Sequence, residues 1–545
     1  MAIGRIATLI VASVLAYAGL VFNLYDLQIN HGEEYLAQAH RSYRAGEKQY
    51  AERGVIFFTD KSGYDLAVVT NKNFQKIYAS PREVQDYSEA AYQLTDILNI
   101  PAEELSLKLK GSGPKDDYKL LVRKAEEDMV NKVFDAGIKG IYIGDESARY
   151  YSSGNTAAQM LGFVAPDSDG IGKSGKYGLE EYYEERLSGI PGEVSEGGKL
   201  TPPVPGKSLR LTVDLSIQKE SERILSELID KFGAKGGSVM VQEPVSGKIL
   251  AMASDPTFDP NNYSKADVSV FLNPVTQQVY EPGSVFKIVT MASALDAGKV
   301  TPETKYNDLG KLTVYDKTIQ NWDLKAHGWV TMTNVIEKSL NTGSAFAEKK
   351  LGHSAFLSYL NKFGFDEITG IDLPGEVRGS LKSIAPKSPE INYVTASYGQ
   401  GISVTPIAML GAVSAIANGG KLMRPYLNSE LQPELIRDVI SKAAATQMTN
   451  MMVSAVDKAE VAHIKGYSVA GKTGTALVPE KGRYTDRVIN TYVGFAPASN
   501  PKFTILIKLN EPVGAPLAGQ TVVPAFRDLA QFMLNYYNIP PDRVE

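Results

Sequence analysis

Hydrophobic and polar positions divide the chain into stretches of different period. From Ile6 to Tyr25 no residue is charged, a run of about 20 residues that spans about 30 Å as a helix. Arg5 precedes it and Asp26 follows it, so the charge bias predicts a single-pass membrane anchor with its N-terminus in the cytoplasm and the rest outside. Ala16-Tyr17-Ala18 also fits a signal-peptidase site, but Gly19 to Phe22 continue the apolar run, which favours an uncleaved anchor over a leader or a buried core helix. Residues 27–50 are polar and helix-prone, as a stalk would be. Over 51–205, strand-like runs ("GVIFF", "DLAVV") mix with helical ones ("DYSEAAYQLTDILN"). "YGLEEYYEERLSGIPG" reads as an amphipathic helix ended by Gly189 and Pro191, its carboxylates a solvated face. In "KLTPPVPGKSLRLTVD" (199–214) three prolines make a stiff, extended boundary.

Beyond that boundary the pattern becomes more regular. "GGSVMVQEPVSGKILAMAS" predicts two strands joined by a Pro-Val-Ser-Gly turn, and "TYVGFAPASNPKFTILIKL" (491–509) repeats that form. Long helical runs, including 331–351 and 405–418, lie between. Strands early and late with helices in the middle predict one sheet closed by both ends of a large domain. The division expected is 1–26 for tip and anchor, 27–205 for a first module and 206–545 for a second.

Composition narrows the chemistry. The 545 residues are 43% hydrophobic and 22% charged with a net charge of −5, a globular balance that offers nothing to nucleic acid. With no cysteine, disulfides, thiolate catalysis and cysteine-bound metals are excluded. His31, His40, His327, His353 and His463 show no ligand spacing, and no metal or cofactor is expected.

Three short motifs recur. Ser-x-x-Lys starts at Ser112, Ser216, Ser284 and Ser499; Lys-(Ser/Thr)-Gly at Lys61, Lys173 and Lys472; Ser-x-Asn at Ser153 and Ser339. Only Ser284, in "YEPGSVFKIVTMASALD", opens a long apolar helix. At i and i+3 its hydroxyl and the Lys287 amine share a face. The plainer reading is a capping serine and a surface lysine. The chemical one needs Lys287 neutral, because serine attacks only when a base takes its proton. Lowering a lysine from about 10.4 to near 7 costs roughly 4–5 kcal/mol, which burial and a second cation would supply. Ser339 and Asn341 fall in "IEKSLNTGSAFAEKKLG", where a helix would point them apart unless the local backbone breaks, which Asn-Thr-Gly right after the serine favours. "YSVAGKTGTALV" (467–478) reads as a strand along which Lys472, Thr473 and Thr475 offer a cation and two hydroxyls, with Gly474 allowing close approach. An extended peptide could join this edge as an added strand.

In this order the motifs resemble those of the penicillin-binding proteins and serine β-lactamases, with Leu340 where a β-lactamase has aspartate. "YEPGSVFK", "GKTGTA", "SYGQGISVTPIAMLGAVSAIANGG" and "GIDLPGE" are similar to the membrane-anchored class B enzymes. "RYYSSGNTAAQMLGFV" resembles their non-catalytic N-terminal module, while "RGVIFFTDKSG" departs from that module's signature by two extra residues and by Lys61 in place of arginine.

The resemblance implies an α+β multidomain protein. An N-terminal transmembrane helix would lead to an elongated pedestal (dimerisation) module. A transpeptidase domain would follow, with an antiparallel five-stranded sheet flanked by helices, as in serine β-lactamases. It implies that Ser284 attacks the D-Ala–D-Ala bond of a peptidoglycan stem peptide, Lys287 takes the serine proton, and Ser339 with Lys472 passes a proton to the leaving D-alanine. The N–H groups of Ser284 and Thr475 would form the oxyanion hole. Asn341 would hold the peptide, and Thr473, Gly474 and Thr475 would line the site for its carboxylate or for a β-lactam. The partners implied are stem peptides on lipid II-derived glycan strands, the membrane and a polytopic SEDS-type glycosyltransferase, with a division role favoured over elongation. The alternatives are a D,D-carboxypeptidase or β-lactamase-type hydrolase, a β-lactam sensor, and a catalytically inactive scaffold.

Overall fold

The structure is a computed structural model that describes residues 14–15, 17–25, 29, 48–111, 118–167, 172–194, 200–480 and 482–543. Of the predicted anchor Ile6–Tyr25, residues 14–15 and 17–25 are described and helical; the remainder, and the stalk 27–50 apart from 29 and 48–50, lie outside the described residues. Among the described residues no helix is long and apolar enough to cross a membrane.

Contacts separate the chain into two compact units, Met1–Gly54 with Glu185–Ser208, and Val55–Glu184 with Leu209–Glu545. In the smaller unit, strands Lys48–Gln49, Gly192–Val194 and Leu200–Thr201 form an antiparallel sheet. The proline-rich stretch stays extended: Val204 exchanges backbone hydrogen bonds with Ile190, and Gly206 N–H donates to the Glu52 carbonyl.

The larger unit holds two five-stranded sheets. The first contains β1 (Ile56–Thr59), β2 (Asp65–Ala79), β3 (Lys119–Ala125), β4 (Ile141–Tyr151) and β5 (Leu209–Asp214). β5 joins β1 in parallel and the other pairings are antiparallel, with the long β2 pairing both β3 and β4. One face is buried by α1 (Tyr87–Leu98), α2 (Ala102–Lys110) and α3 (Glu127–Ala136), whose Ala90, Leu94, Leu98, Leu105 and Val133 close on Ile77, Ala79 and Leu121. Asp86 caps α1 by accepting from the Ser88 and Glu89 N–H groups, and Asn99 ends it in the left-handed region. In the unusual "RGVIFFTDKSG" segment the β1–β2 pairing is kept, and the Lys61 amine donates to the Tyr536 carbonyl at 3.0 Å while lying over that ring.

One expectation for this region is corrected. "YGLEEYYEERLSGIPG" is two short helices, Gly178–Tyr182 and Glu184–Leu187, and its carboxylates are not all solvated. Glu180 is 0% exposed and accepts from Arg149 Nε at 2.7 Å. Helical periodicity cannot reveal such a partner, which lies on β4.

After β5 comes α4 (Leu215–Phe232), capped by Asp214, and then the second sheet. Its strands β6 (Gly236–Gln242) and β7 (Ile249–Asp255) form the predicted first hairpin. The helical middle contains α5 (Lys287–Asp296), α6 (Met332–Lys338), α7 (Asn341–Leu351), α8 (Pro406–Ala417) and α9 (Lys442–Ala459). The chain then returns through β8 (Ala470–Glu480), β9 (Arg483–Ala496) and β10 (Phe503–Asn510) to α10 (Val522–Tyr536). The strand order β7-β6-β10-β9-β8 is antiparallel throughout, so both ends of the domain close one sheet, as predicted. Val239, Val241, Ile505 and Ile507 bury one face against Ile224 and Leu225 of α4 and Phe526, Leu529 and Met533 of α10. Met240, Leu506 and Val493 have the opposite parity and are equally buried, and α8 packs on these strands.

The expected continuous helix over 331–351 is broken. α6 ends at Ser339, which is left-handed (φ 58°), and Leu340 is extended before α7 begins. The local break allowed for beside Asn-Thr-Gly falls at Ser339 and Leu340, directly before it.

Candidate active site

Ser284 lies in a single 3₁₀ turn, Gly283–Phe286, that runs directly into α5. No side chain caps this start, so the serine hydroxyl is not used as a helix cap. Lys287, one turn on, is 1% exposed and cannot be the surface lysine of the plainer reading. Its Nζ lies 3.0 Å from Ser284 Oγ, 2.7 Å from the Ser339 carbonyl oxygen, 3.2 Å from Ser339 Oγ and 2.7 Å from Asn341 Oδ1. The left-handed turn at Ser339 aims both its carbonyl and its hydroxyl at this amine, while Asn341 reaches it from the first turn of α7.

A neutral amine has two N–H bonds and one lone pair. The two shortest contacts are to carbonyl oxygens, which can only accept. Donating to both leaves the lone pair free for the Ser284 proton. Burial pushes the Lys287 amine well below the ordinary lysine value, and the Lys472 charge pushes it further.

Lys472 enters from β8, the edge strand of the sheet. Its Nζ is 2.9 Å from Ser339 Oγ, 3.2 Å from the Thr473 carbonyl and 3.3 Å from Thr473 Oγ1. At 4% exposure, burial brings this amine down to about 7. The Ser339 hydroxyl therefore bridges two lysines of lowered basicity. Gly474 and Thr475 lie against the nucleophile's own turn. A Cβ on Gly474 would sit 2.9 Å from the Pro282 oxygen, and one on Gly283 would sit 3.0 Å from the Thr475 oxygen. Thr475 Oγ1 lies 3.4 Å from both Asn490 Oδ1 and the Ala518 nitrogen. Ser284, Lys287, Ser339, Asn341, Lys472 and Thr473 are thus joined by hydrogen-bond distances, and Gly474–Thr475 by close backbone packing.

The other motif copies are absorbed elsewhere. Ser216 opens α4, the Ser499 hydroxyl donates to Asp542, Lys61 rests on Tyr536 and Lys173 pairs with Glu146. Ser153 lies in the turn after β4, and the Ser112 copy lies outside the described residues. His327 pairs with Asp323 and His353 with Glu348, whereas His31 and His40 lie outside the described residues. Among the described residues no group of three or more His, Cys, Asp or Glu could hold a metal ion.

Several contributors carry no motif signal. The Asn341 amide donates to the Gln320 carbonyl, and the Trp322 indole N–H donates to the Lys338 carbonyl beside Ser339. Gly399 is left-handed, and a Cβ there would stand 2.3 Å from the Gly283 oxygen. Its place in "SYGQG" was legible only as part of a family segment.

Two serines and two buried lysines thus converge beside the edge strand of a sheet that both ends of the domain close, an arrangement suited to acyl transfer. Comparison with known proteins agrees with that chemistry. The penicillin binding protein transpeptidase domain matches residues 237–531 and the penicillin-binding protein dimerisation domain matches 48–211. The chain belongs to the penicillin-binding protein transpeptidase family. It is 32% identical to stage V sporulation protein D of Bacillus subtilis, over 93% of this chain and 82% of that protein. It is 30% identical to the peptidoglycan D,D-transpeptidase FtsI of Escherichia coli K12, over 99% and 92% of the two chains. Penicillin binding protein 3 of Mycobacterium tuberculosis, solved with aztreonam, superposes with a TM-score of 0.70 at 26% identity, covering 91% of this chain and 98% of that one.

Proposed function

We propose that the protein is a serine-type peptidoglycan D,D-transpeptidase of cell-wall synthesis and a target of β-lactams. Ser284 Oγ attacks the carbonyl between the two terminal D-alanines as its proton passes to Lys287 Nζ. The tetrahedral oxyanion is held by the Ser284 and Thr475 N–H groups, a contribution of about 3 kcal/mol per donor in such sites. The bond to the terminal D-alanine then breaks as its nitrogen takes a proton through Ser339 and Lys472, leaving an ester on Ser284. A neutral amine from a neighbouring stem attacks that ester, its surplus proton returns along the same groups, and a new amide is released with the serine hydroxyl restored. Asn341 orients the peptide. Thr473 and Thr475, with Gly474 between them, receive the terminal carboxylate, and the free edge of β8 pairs with the extended substrate.

The observation that carries this reading is the Lys287 amine: dry, 3.0 Å from Ser284 Oγ, and held by two carbonyl acceptors that leave its lone pair for the serine. The assignment also includes an N-terminal anchor over Ile6–Tyr25 with a cytoplasmic N-terminus, a non-catalytic module over 27–205, and a catalytic domain over 206–545 outside the membrane. A septal role beside a polytopic glycosyltransferase follows from the same kinship. Labelling with a fluorescent penicillin tests the core of it. The wild type is expected to label and Ser284→Ala to lose the label completely. Persistent label in the variant removes Ser284 from its role, and an unlabelled wild type favours the scaffold. A product assay in which water outcompetes every amine acceptor favours the hydrolase.

A further inference from the structure

Three segments meet around Ser284 by backbone packing at glycines. The loop 398–401 lies on Gly283 through Gly399, and β8 lies on the same turn through Gly474. The loop is also tied by hydrogen bonds: Gly283 N–H donates to the Gly399 carbonyl at 3.0 Å, and Tyr280 and Val404 exchange bonds at 3.0 Å. β8 is held differently. It is an edge strand with β9 as its neighbour in the sheet, and its approach to the nucleophile's turn is van der Waals contact at Gly474 and Thr475.

A polar link between the β8–β9 hairpin and the Ser284 segment comes from outside the motifs. Tyr484, near the start of β9 and 48% exposed, donates its hydroxyl to Glu281, 3.0 Å from Oε2 and 3.3 Å from Oε1. Glu281 precedes Ser284 by three residues, and its Oε1 also accepts from the Gly401 N–H at 3.2 Å. One half-buried carboxylate therefore spans all three segments: its own, the 398–401 loop and the hairpin that carries Lys472 and Thr475.

We propose that Glu281 is a positioning residue for acylation, a clamp that fixes the spacing between the Ser284 turn and the edge strand β8 through Tyr484. The proposal rests on the reading of Ser284 as the acylated nucleophile. Acyl transfer needs the nucleophile and the oxyanion donor on β8 to be held within about 0.5 Å of their working positions, and a displacement of about 1 Å costs on the order of 100-fold in rate. Glycine packing brings the segments close without locking the hairpin along the turn, and the Glu281–Tyr484 pair supplies that lock. The carboxylate acts through the position of β8 and not by contact with the substrate.

The experiment is the second-order rate constant for acylation by a fluorescent penicillin, measured on the full chain in detergent beside its thermal midpoint. Glu281→Ala is expected to slow acylation about 10- to 100-fold with the midpoint little changed. Tyr484→Phe is expected to slow it comparably. The double variant is expected to be no slower than Glu281→Ala, since both break one clamp. Glu281→Gln is expected to recover most of the rate, because an amide oxygen can still accept from Tyr484 and Gly401. Wild-type rates in Glu281→Ala overturn the proposal while leaving the Ser284 reading intact. Additive losses in the double variant, or Glu281→Gln as slow as Glu281→Ala, overturn it in favour of a direct chemical role for the charge. Absence of label in the wild type overturns the Ser284 reading instead.

Discussion

The two five-stranded sheets of the larger unit carry lysines in opposite circumstances. The N-terminal sheet covers one face with α1, α2 and α3 and leaves the other largely open. On that open face the Lys72 amine lies over the rings of Phe74 and Tyr150, Lys76 over Tyr78 and Tyr118, and Lys124 over Phe74. The stems of Lys72 and Lys76 cover apolar surface while their amines reach water, and the Lys124 amine is lowered in basicity by partial burial. The C-terminal sheet is covered on both faces. Its Lys472 and Lys508 are 4% and 5% exposed, and burial alone brings their amines down to about 7 and about 8. The same residue type, on the same kind of strand, lies at the surface under one covering and is desolvated to lowered basicity under the other. Layering supplies the chemistry.

If that contrast is right, removing a buried lysine damages chemistry, and removing a structural ion pair damages stability. The largest effect is expected from Lys287→Ala, which deletes the proposed base. Acylation by penicillin should fall by about 10³-fold or more, with no loss in thermal midpoint. A variant within tenfold of wild type would place the base elsewhere. Next is Glu180→Ala in the N-terminal region, which removes the carboxylate paired with the buried Arg149 guanidinium. It should cost about 3–5 kcal/mol in denaturant or thermal unfolding, with the folded fraction acylating at the wild-type rate. A change under about 1 kcal/mol would mean that water reaches this pair.

The smallest effect, and the sharpest test, concerns pH. Acylation should rise with pH as Lys287 loses its proton. Lys472→Met removes the neighbouring charge that lowers Lys287, so the rise should move to higher pH in that variant, in addition to any loss of rate. Stability has its own sign. Lys472 titrates at about 7 when folded and near 10.4 when unfolded. Between those values the unfolded chain binds more protons, so the term favouring the fold grows as pH rises from about 7 to 10. Below 7 both states are protonated and the full cost of the buried charge is present. Lys472→Met should therefore flatten the stability curve over that range and gain about 1–2 kcal/mol at neutral pH. An unchanged slope would show that Lys472 is better solvated than its burial implies.

Much of this was legible before the fold. The helical run "DYSEAAYQLTDILN" and both hairpins of the second sheet are local patterns, and the backbone follows them. Ser284 was distinguishable from three other Ser-x-x-Lys copies because only it opened an apolar helix. A local break beside Ser339 was legible but its form was not, because a left-handed serine is strained in isolation and is retained only where its surroundings determine it. The burial of Glu180 was missed because the Arg149 that makes it tolerable is 31 residues away. Glu281 gave no signal, since a single glutamate beside Pro-Gly looks like any loop carboxylate.

The amino-acid order alone decided most of the helices and strands, which hydroxyls and amines are available, and in what sequence they come. Periodicity, capping and turn preference act over a few residues and need no partner. Tertiary structure decided that Lys287 and Lys472 are dry, that Ser339 stands between them, and that Glu281 reaches the hairpin. Each of these depends on desolvation or on distances between residues far apart in the chain, which only packing can set.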